Sequence, residues 1–139
     1  MTWHTALAFV LGLVFGSFAN VLIHRLPRMI MAESDAHSNA PRFDVCWPAS
    51  HCPHCNTPLR WWHNLPLLSF ALLKGRCGFC HHPIAWRYWV VECVTGLVWV
   101  ACTWHWGFNV TAACWAGFAT VLLTLSVIDA RTTLSLIHI

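Results

Sequence analysis

The chain has 139 residues, of which 58% are hydrophobic and only 9% charged, with ten Trp. Soluble domains usually carry about 25% charged residues, so an ordinary water-soluble domain is excluded. The net charge of +3 is local, because seven of the eight Lys and Arg lie between Arg25 and Arg87, a pattern that speaks of membrane topology before a partner-binding patch.

The first predicted helix covers residues 1–26. Residues 5–23 carry no charge, and at about 1.5 Å per residue they are long enough to cross a bilayer. No Lys or Arg precedes this run, so the charged start of a cleavable signal peptide is missing and the segment is expected to stay as a membrane helix. Gly12, Gly16, Asn20 and His24 recur every fourth residue and form one stripe. Either the stripe is a close-packing surface for another helix, or it faces a site cavity. Asn20 needs a partner inside the protein, because lipid offers none. Arg25 and Arg28 mark the cytoplasmic end, and Pro27 is expected to stop the helix.

Residues 27–85 read as a cytoplasmic loop. Its first part, residues 29–42, is polar and is expected to be irregular. A small module follows at residues 52–80. It holds Cys52-Pro53-His54-Cys55 and Cys77-Gly78-Phe79-Cys80, the spacing of a zinc site. Two such pairs complete a tetrahedral four-thiolate shell of Cys52, Cys55, Cys77 and Cys80. Gly75 and Gly78 are expected to let the backbone turn tightly around the ion. So short a segment buries too little apolar surface to fold alone. Structural zinc would supply on the order of 10–16 kcal/mol, and two knuckles of zinc-ribbon type are expected. Cys46, His51, His54, His81 and His82 are spare ligands expected in the outer shell or on the surface. The other three of the eight Cys, at 93, 102 and 114, sit in apolar runs and pack as small hydrophobes. The basic residues Arg60, Lys74, Arg76 and Arg87 are too sparse for a nucleic-acid face, so no nucleic-acid partner is expected.

The second helix is predicted at residues 86–106. Arg87, Tyr88 and Trp89 suit the headgroup level. Glu92 then enters the apolar region at a cost, and Arg87, His24 or Asn20 could offset it. Gly107-Phe108-Asn109 is a short uncharged outer turn. The third helix, residues 110–129, returns to the cytoplasmic side and ends at Asp129. Residues 130–139 read as a tail. The fold class is therefore an all-α integral membrane protein, with three transmembrane helices and a cytoplasmic four-cysteine module between the first and second.

The motifs in order resemble those of bacterial type IV prepilin peptidases. They are Gly16-Ser17-Phe18-Ala19-Asn20-Val21-Leu22-Ile23-His24-Arg25-Leu26-Pro27, the two cysteine pairs, Asn64-Leu65-Pro66-Leu67-Leu68-Ser69, Lys74-Gly75-Arg76-Cys77, Arg87-Tyr88 with Val91-Glu92, and Val127-Ile128-Asp129. The resemblance implies a bifunctional enzyme of the bacterial inner membrane. It would be an aspartic endopeptidase that removes the leader of type IV prepilins and type II secretion pseudopilins, and an S-adenosylmethionine-dependent methyltransferase acting on the new N-terminus. Asp129 falls where that family has the first of two catalytic aspartates, and Gly75 is a candidate for the methyl-transfer cofactor. Two close carboxylates share a proton, so that one activates water and the other protonates the leaving group. The family's second aspartate, in a Gly-x-Gly-Asp motif, does not occur in these residues, and 130–139 diverge from the family. The expectation is an N-terminal fragment, inactive in proteolysis by itself. Two other classes fit the residues alone: a non-enzymatic zinc-stabilised membrane protein that recruits a partner, and a membrane-tethered dithiol. The dithiol reading requires at least one thiol of lowered pKa.

Overall fold

The computed structural model describes residues 3–34, 51–52, 54–58 and 71–137. Arg42, Cys46, Arg60, the 64–69 motif, most of the expected polar loop and the last two residues of the tail lie outside these. Three helices run through the described residues: α1 (Trp3–Ser34), α2 (Trp86–Trp106) and α3 (Val110–Ile137). The architecture is all-helical, as expected. α2 has the expected bounds, and the other two helices run further than expected.

α1 does not stop at Pro27 but continues to Ser34. A proline removes one ladder donor yet holds φ near its helical value. Here that donor would have served Ile23, a single bond in a helix with 24 residues before the proline and seven after it. α3 passes its expected end at Asp129 and reaches Ile137, so most of the expected tail is helical. Ala130, Arg131, Leu134 and Leu136 are good helix formers. The Thr132 hydroxyl bonds back to the carbonyls of Ile128 at 3.1 Å and Asp129 at 3.0 Å.

Two helices among the described residues are long and apolar enough to cross a membrane, over Trp3–Met31 and Val110–Thr133. α2 is not one of them. It is 21 residues long, but Arg87, Glu92 and repeated Trp and Thr lower its apolarity.

α1 and α2 make the closest pairing. A Cβ built on Gly12 would fall 2.7 Å from the Cα of Gly96, and one on Gly16 would fall 2.9 Å from the Cα of Glu92. Gly96 in turn lies under the Phe9 ring, and Phe15 stacks on Trp99 at 4.8 Å between ring centres. The stripe Gly12–Gly16–Asn20 is therefore a packing surface, and only its last member, His24, is exposed. Asn20 finds its partner within the protein: its side-chain amide donates to the Tyr88 carbonyl at 2.9 Å. That bond sets the first turn of α2 level with residues 19–22 of α1. Glu92 is half-buried against α1.

α3 joins through a stripe of small and hydroxyl residues. Ala112, Ala116, Thr120 and Thr124 are buried at four-residue intervals. The Trp99 indole donates to the Thr120 hydroxyl at 3.2 Å, and that hydroxyl donates on to the Ala116 carbonyl at 2.8 Å. Thr95, Thr103 and Thr124 bond back to carbonyls one turn earlier, which satisfies hydroxyls that lipid could not. The turn between α2 and α3 uses Gly107 at φ 79°, a conformation open to glycine. Asn109 then accepts from the Ala112 amide at 2.9 Å and donates to the Trp106 carbonyl at 2.7 Å, so one side chain caps α3 and ties it to α2.

Candidate functional site

The cysteine module is built twice. Residues His51, Cys52, Cys55, Asn56, Thr57 and Pro58 recur twenty-five positions later as Arg76, Cys77, Cys80, His81, His82 and Pro83. Their backbone bonds recur as well. The Cys52 amide donates to the Thr57 carbonyl at 3.1 Å, and the Cys77 amide to the His82 carbonyl at 2.9 Å. The Asn56 amide donates to Cys52 at 2.9 Å, and the His81 amide to Cys77 at 3.0 Å. An antiparallel bridge closes each unit, His51 with Pro58 and Arg76 with Pro83. These are the two expected knuckles.

The turn after each cysteine pair is left-handed, at Asn56 (φ 53°) and His81 (φ 56°). Asn and His are among the non-glycine residues that enter this region most readily. Gly78, expected to supply the tight turn, is not among the left-handed positions. Gly75 is, at φ 71°, next to Lys74 at φ 50°. Gly75 is buried, and its carbonyl accepts from the Ile84 amide at 2.7 Å. Its visible work is to turn the chain into the second knuckle.

Four sulfurs meet between the knuckles. The Sγ atoms of Cys52, Cys55, Cys77 and Cys80 all lie within 4.8 Å of one another, and those of Cys52 and Cys80 are 3.7 Å apart. Around zinc with bonds of about 2.3 Å, tetrahedral sulfurs stand about 3.8 Å apart. The donor set and its spacing fit one tetrahedral ion. The first cysteine of each pair is buried and the second half-buried. His51, His54, His81 and His82 lie outside this cluster and are exposed, and His54 stacks on His82 across the knuckles at 4.3 Å.

Hydrogen bonds prepare the sulfurs unequally. The side chain and backbone of Thr57 hold the Cys55 thiol down to about 6. The backbone amides of Cys80 and Phe79 lower Cys77. The His82 amide pulls Cys80 down too, but lost hydration and the neighbouring sulfurs outweigh it and push this thiol up to about 11. Amide donors to sulfur favour thiolates, which is what a metal requires. A lowered thiol also suits the dithiol reading, but a redox pair needs two sulfurs at one accessible point, whereas here four converge from two matched loops.

Asp129 lies far from these sulfurs in sequence, toward the end of α3. The packed side of α3 is the line Ala112–Ala116–Thr120–Thr124. At 100° per residue, Asp129 falls on the opposite side, in line with Trp115, Phe118, Leu122 and Leu125. All five are exposed, so Asp129 sits toward the C-terminal end of the apolar face that α1 and α2 leave uncovered.

Comparison with known proteins completes the picture. Residues 10–106 match the family model described as the bacterial peptidase A24 N-terminal domain, a span that takes in most of α1, both knuckles and α2. A prepilin leader peptidase/N-methyltransferase of Burkholderia pseudomallei strain 1026b is 40% identical over 91% of this chain and 45% of its own length. Proteins of the same name from Pseudomonas putida and Dickeya chrysanthemi are 41% and 39% identical, over 88% and 95% of this chain and 46% and 50% of theirs. The chain thus spans about half the length of the curated relatives it matches. No solved structure matches it.

Proposed function

The chain belongs to the family of the bacterial peptidase A24 N-terminal domain, and on that premise we propose that it is the N-terminal part of a prepilin leader peptidase and N-methyltransferase. In this reading α1, α2 and α3 all cross the inner membrane, with the knuckles on the cytoplasmic side among the basic residues. The middle helix crosses because it is packed between two that are apolar enough to do so.

The observation that carries the reading is the position of Asp129. A carboxylate at the end of an uncovered apolar helix face is costly in lipid and useful beside a second carboxylate. Two carboxyls in contact share one proton, so one can activate water while the other protonates the departing amine. Among the described residues, Asp129 is the candidate carboxylate for this dyad, and the uncovered face of α3 is where its partner would approach. Zinc held by Cys52, Cys55, Cys77 and Cys80 would be structural, since four thiolates leave no open position for substrate. S-adenosylmethionine would serve methyl transfer. Gly75 can contribute to its site only through backbone placement.

The test is leader removal from a prepilin in membranes, followed by gel mobility and N-terminal mass. A chain extended to the length of its relatives should process the substrate, and its Asp129→Asn variant should lose processing by at least about a hundredfold, as expected when a carboxyl of a general acid–base pair is removed. The 139-residue chain should not process it. Full activity in the Asn variant, or processing by the short chain, refutes the assignment of Asp129.

A further inference from the structure

Basic groups from separate elements converge at the inner end of the bundle. His24 and Arg28 are four residues apart on α1, so they stand one turn apart on one flank. The charged groups that reach His24 are Arg28, Arg131 and Arg25, with His51 beside them, from α1, α3 and the first knuckle. His24 and Arg28 are exposed, and Arg131 is half-buried on the side of α3 that follows Thr120 and Thr124 toward α1. Arg25 is buried at 8% exposure.

Among the described side chains, the acids on these helices lie elsewhere. Asp129 is on the opposite face of α3. Glu92 meets α1 at Gly16, eight residues or about 12 Å of helix above His24. The Asn20–Tyr88 bond sets the height: Trp86 and Trp89, both exposed, lie within about 8 Å of the level of His24 along the helix axis. Indole rings favour the headgroup level of a bilayer. Along the flank of α1 that carries Arg28, Val21 and Val14 follow one and two heptads above it, and Val14 is exposed.

We propose that the inner ends of α1 and α3 form a site for the phosphodiester headgroup of an anionic phospholipid, held by Arg28 and Arg131 beside His24. The proposal rests on the reading of α1 and α3 as membrane spans. Like charges gathered on two helices repel unless a counter-charge joins them. Basic pockets between membrane helices on the cytoplasmic side take anionic headgroups. A lipid meets the whole surface: its phosphate reaches the arginines, its chains run along the valine flank, and the indoles lie beside it. A free anion would meet only the charges.

The chain is reconstituted in nanodiscs, and the association of spin-labelled phosphatidylglycerol is compared with that of spin-labelled phosphatidylcholine. Wild type should prefer the anionic lipid. Arg28→Gln and Arg131→Gln should each remove up to about fivefold of that preference, and the pair more, at roughly one charge's attraction per arginine. Lys74→Gln, in the turn before the second knuckle, should leave it intact. An equal loss with Lys74→Gln shows general surface charge and overturns the proposal. Loss of the preference in millimolar inorganic phosphate identifies a soluble anion as the ligand and also overturns it. Insertion without headgroup preference overturns this proposal alone, whereas failure to enter discs of either composition overturns the membrane reading with it.

Discussion

The helix bundle and the cysteine module solve opposite problems. The bundle has apolar surface in excess, and what it needs is close approach and a partner for every polar group. Gly12 against Gly96, Asn20 on the Tyr88 carbonyl and Trp99 on Thr120 supply these. The module has almost no core. Its fold is two copies of one backbone turn with four sulfurs between them. One part is held by many small contacts and the other by a single point, so damage should be graded in the bundle and all-or-none in the module.

Metal removal is the largest break. Cys77→Ser, or a strong chelator, should remove most of the on the order of 10–16 kcal/mol that structural zinc supplies. The segment 51–83 should become protease-sensitive, while helical circular dichroism falls only slightly. Acid should act in the same direction. Bound zinc needs thiolates, so affinity falls as pH falls. Cys80, raised to about 11, surrenders a proton to zinc throughout the neutral range, whereas Cys55, lowered to about 6, competes only below that pH. The loss of affinity should therefore steepen below about pH 6, as read by chelator competition from pH 8 to pH 5. An unchanged slope across that pH would mean that Thr57 does not hold the Cys55 thiol down.

The bundle should break by degrees. Gly12→Leu drives a side chain into the Gly96 backbone and the Thr95 carbonyl, 2.7 and 2.9 Å from its Cβ. Overpacking of this kind costs about 1–3 kcal/mol or more. Thermal unfolding in detergent should show the loss, with zinc content unchanged. If zinc falls in proportion, the two parts are one cooperative unit and the contrast fails. Asn20→Leu is gentler. It removes one interhelical bond, worth about 0.6 kcal/mol on average in membrane proteins, and strands the Tyr88 carbonyl only where α2 already has its own ladder.

Much of this was legible in the residues. The two Cys-x-x-Cys pairs announced the sulfur cluster, because thiolate spacing follows directly from the metal's geometry. The Gly12–Gly16–Asn20 stripe announced a helix contact, and α2 took the bounds that Trp86 and Trp106 mark. Pro27 misled, since a proline weakens a helix by one bond and a long helix on both sides can bear that. The end of α3 was missed because Asp129 looked like a boundary, when Ala130, Arg131 and the leucines beyond it favour helix. Fold-level reading also could not see which face of α3 would stay uncovered, since that depends on where Trp99 reaches across to Thr120. The twenty-five-residue repeat, by contrast, was present in the sequence. Cys-x-x-Cys followed two residues on by a residue before Pro appears twice, and only the divergent residues between hid it.

That repeat sets up the smallest and sharpest contrast, within the module itself. Asn56 and His81 occupy the same left-handed turn, at φ 53° and 56°. Glycine at either site removes a backbone strain, and a β-branched residue adds about 1–2 kcal/mol. Asn56→Gly and His81→Gly should each leave zinc affinity within about a fewfold, since relief of the turn is offset by a looser unfolded chain. Asn56→Val and His81→Val should each weaken it by roughly tenfold or more. If the two knuckles are energetic as well as geometric copies, the two valine variants should match. A larger loss at His81 would show that the second knuckle, which continues through Ile84 directly into α2, carries the bundle's constraint into the metal site. A larger loss at Asn56 would show the first knuckle to be the weaker half, the one that zinc must order last.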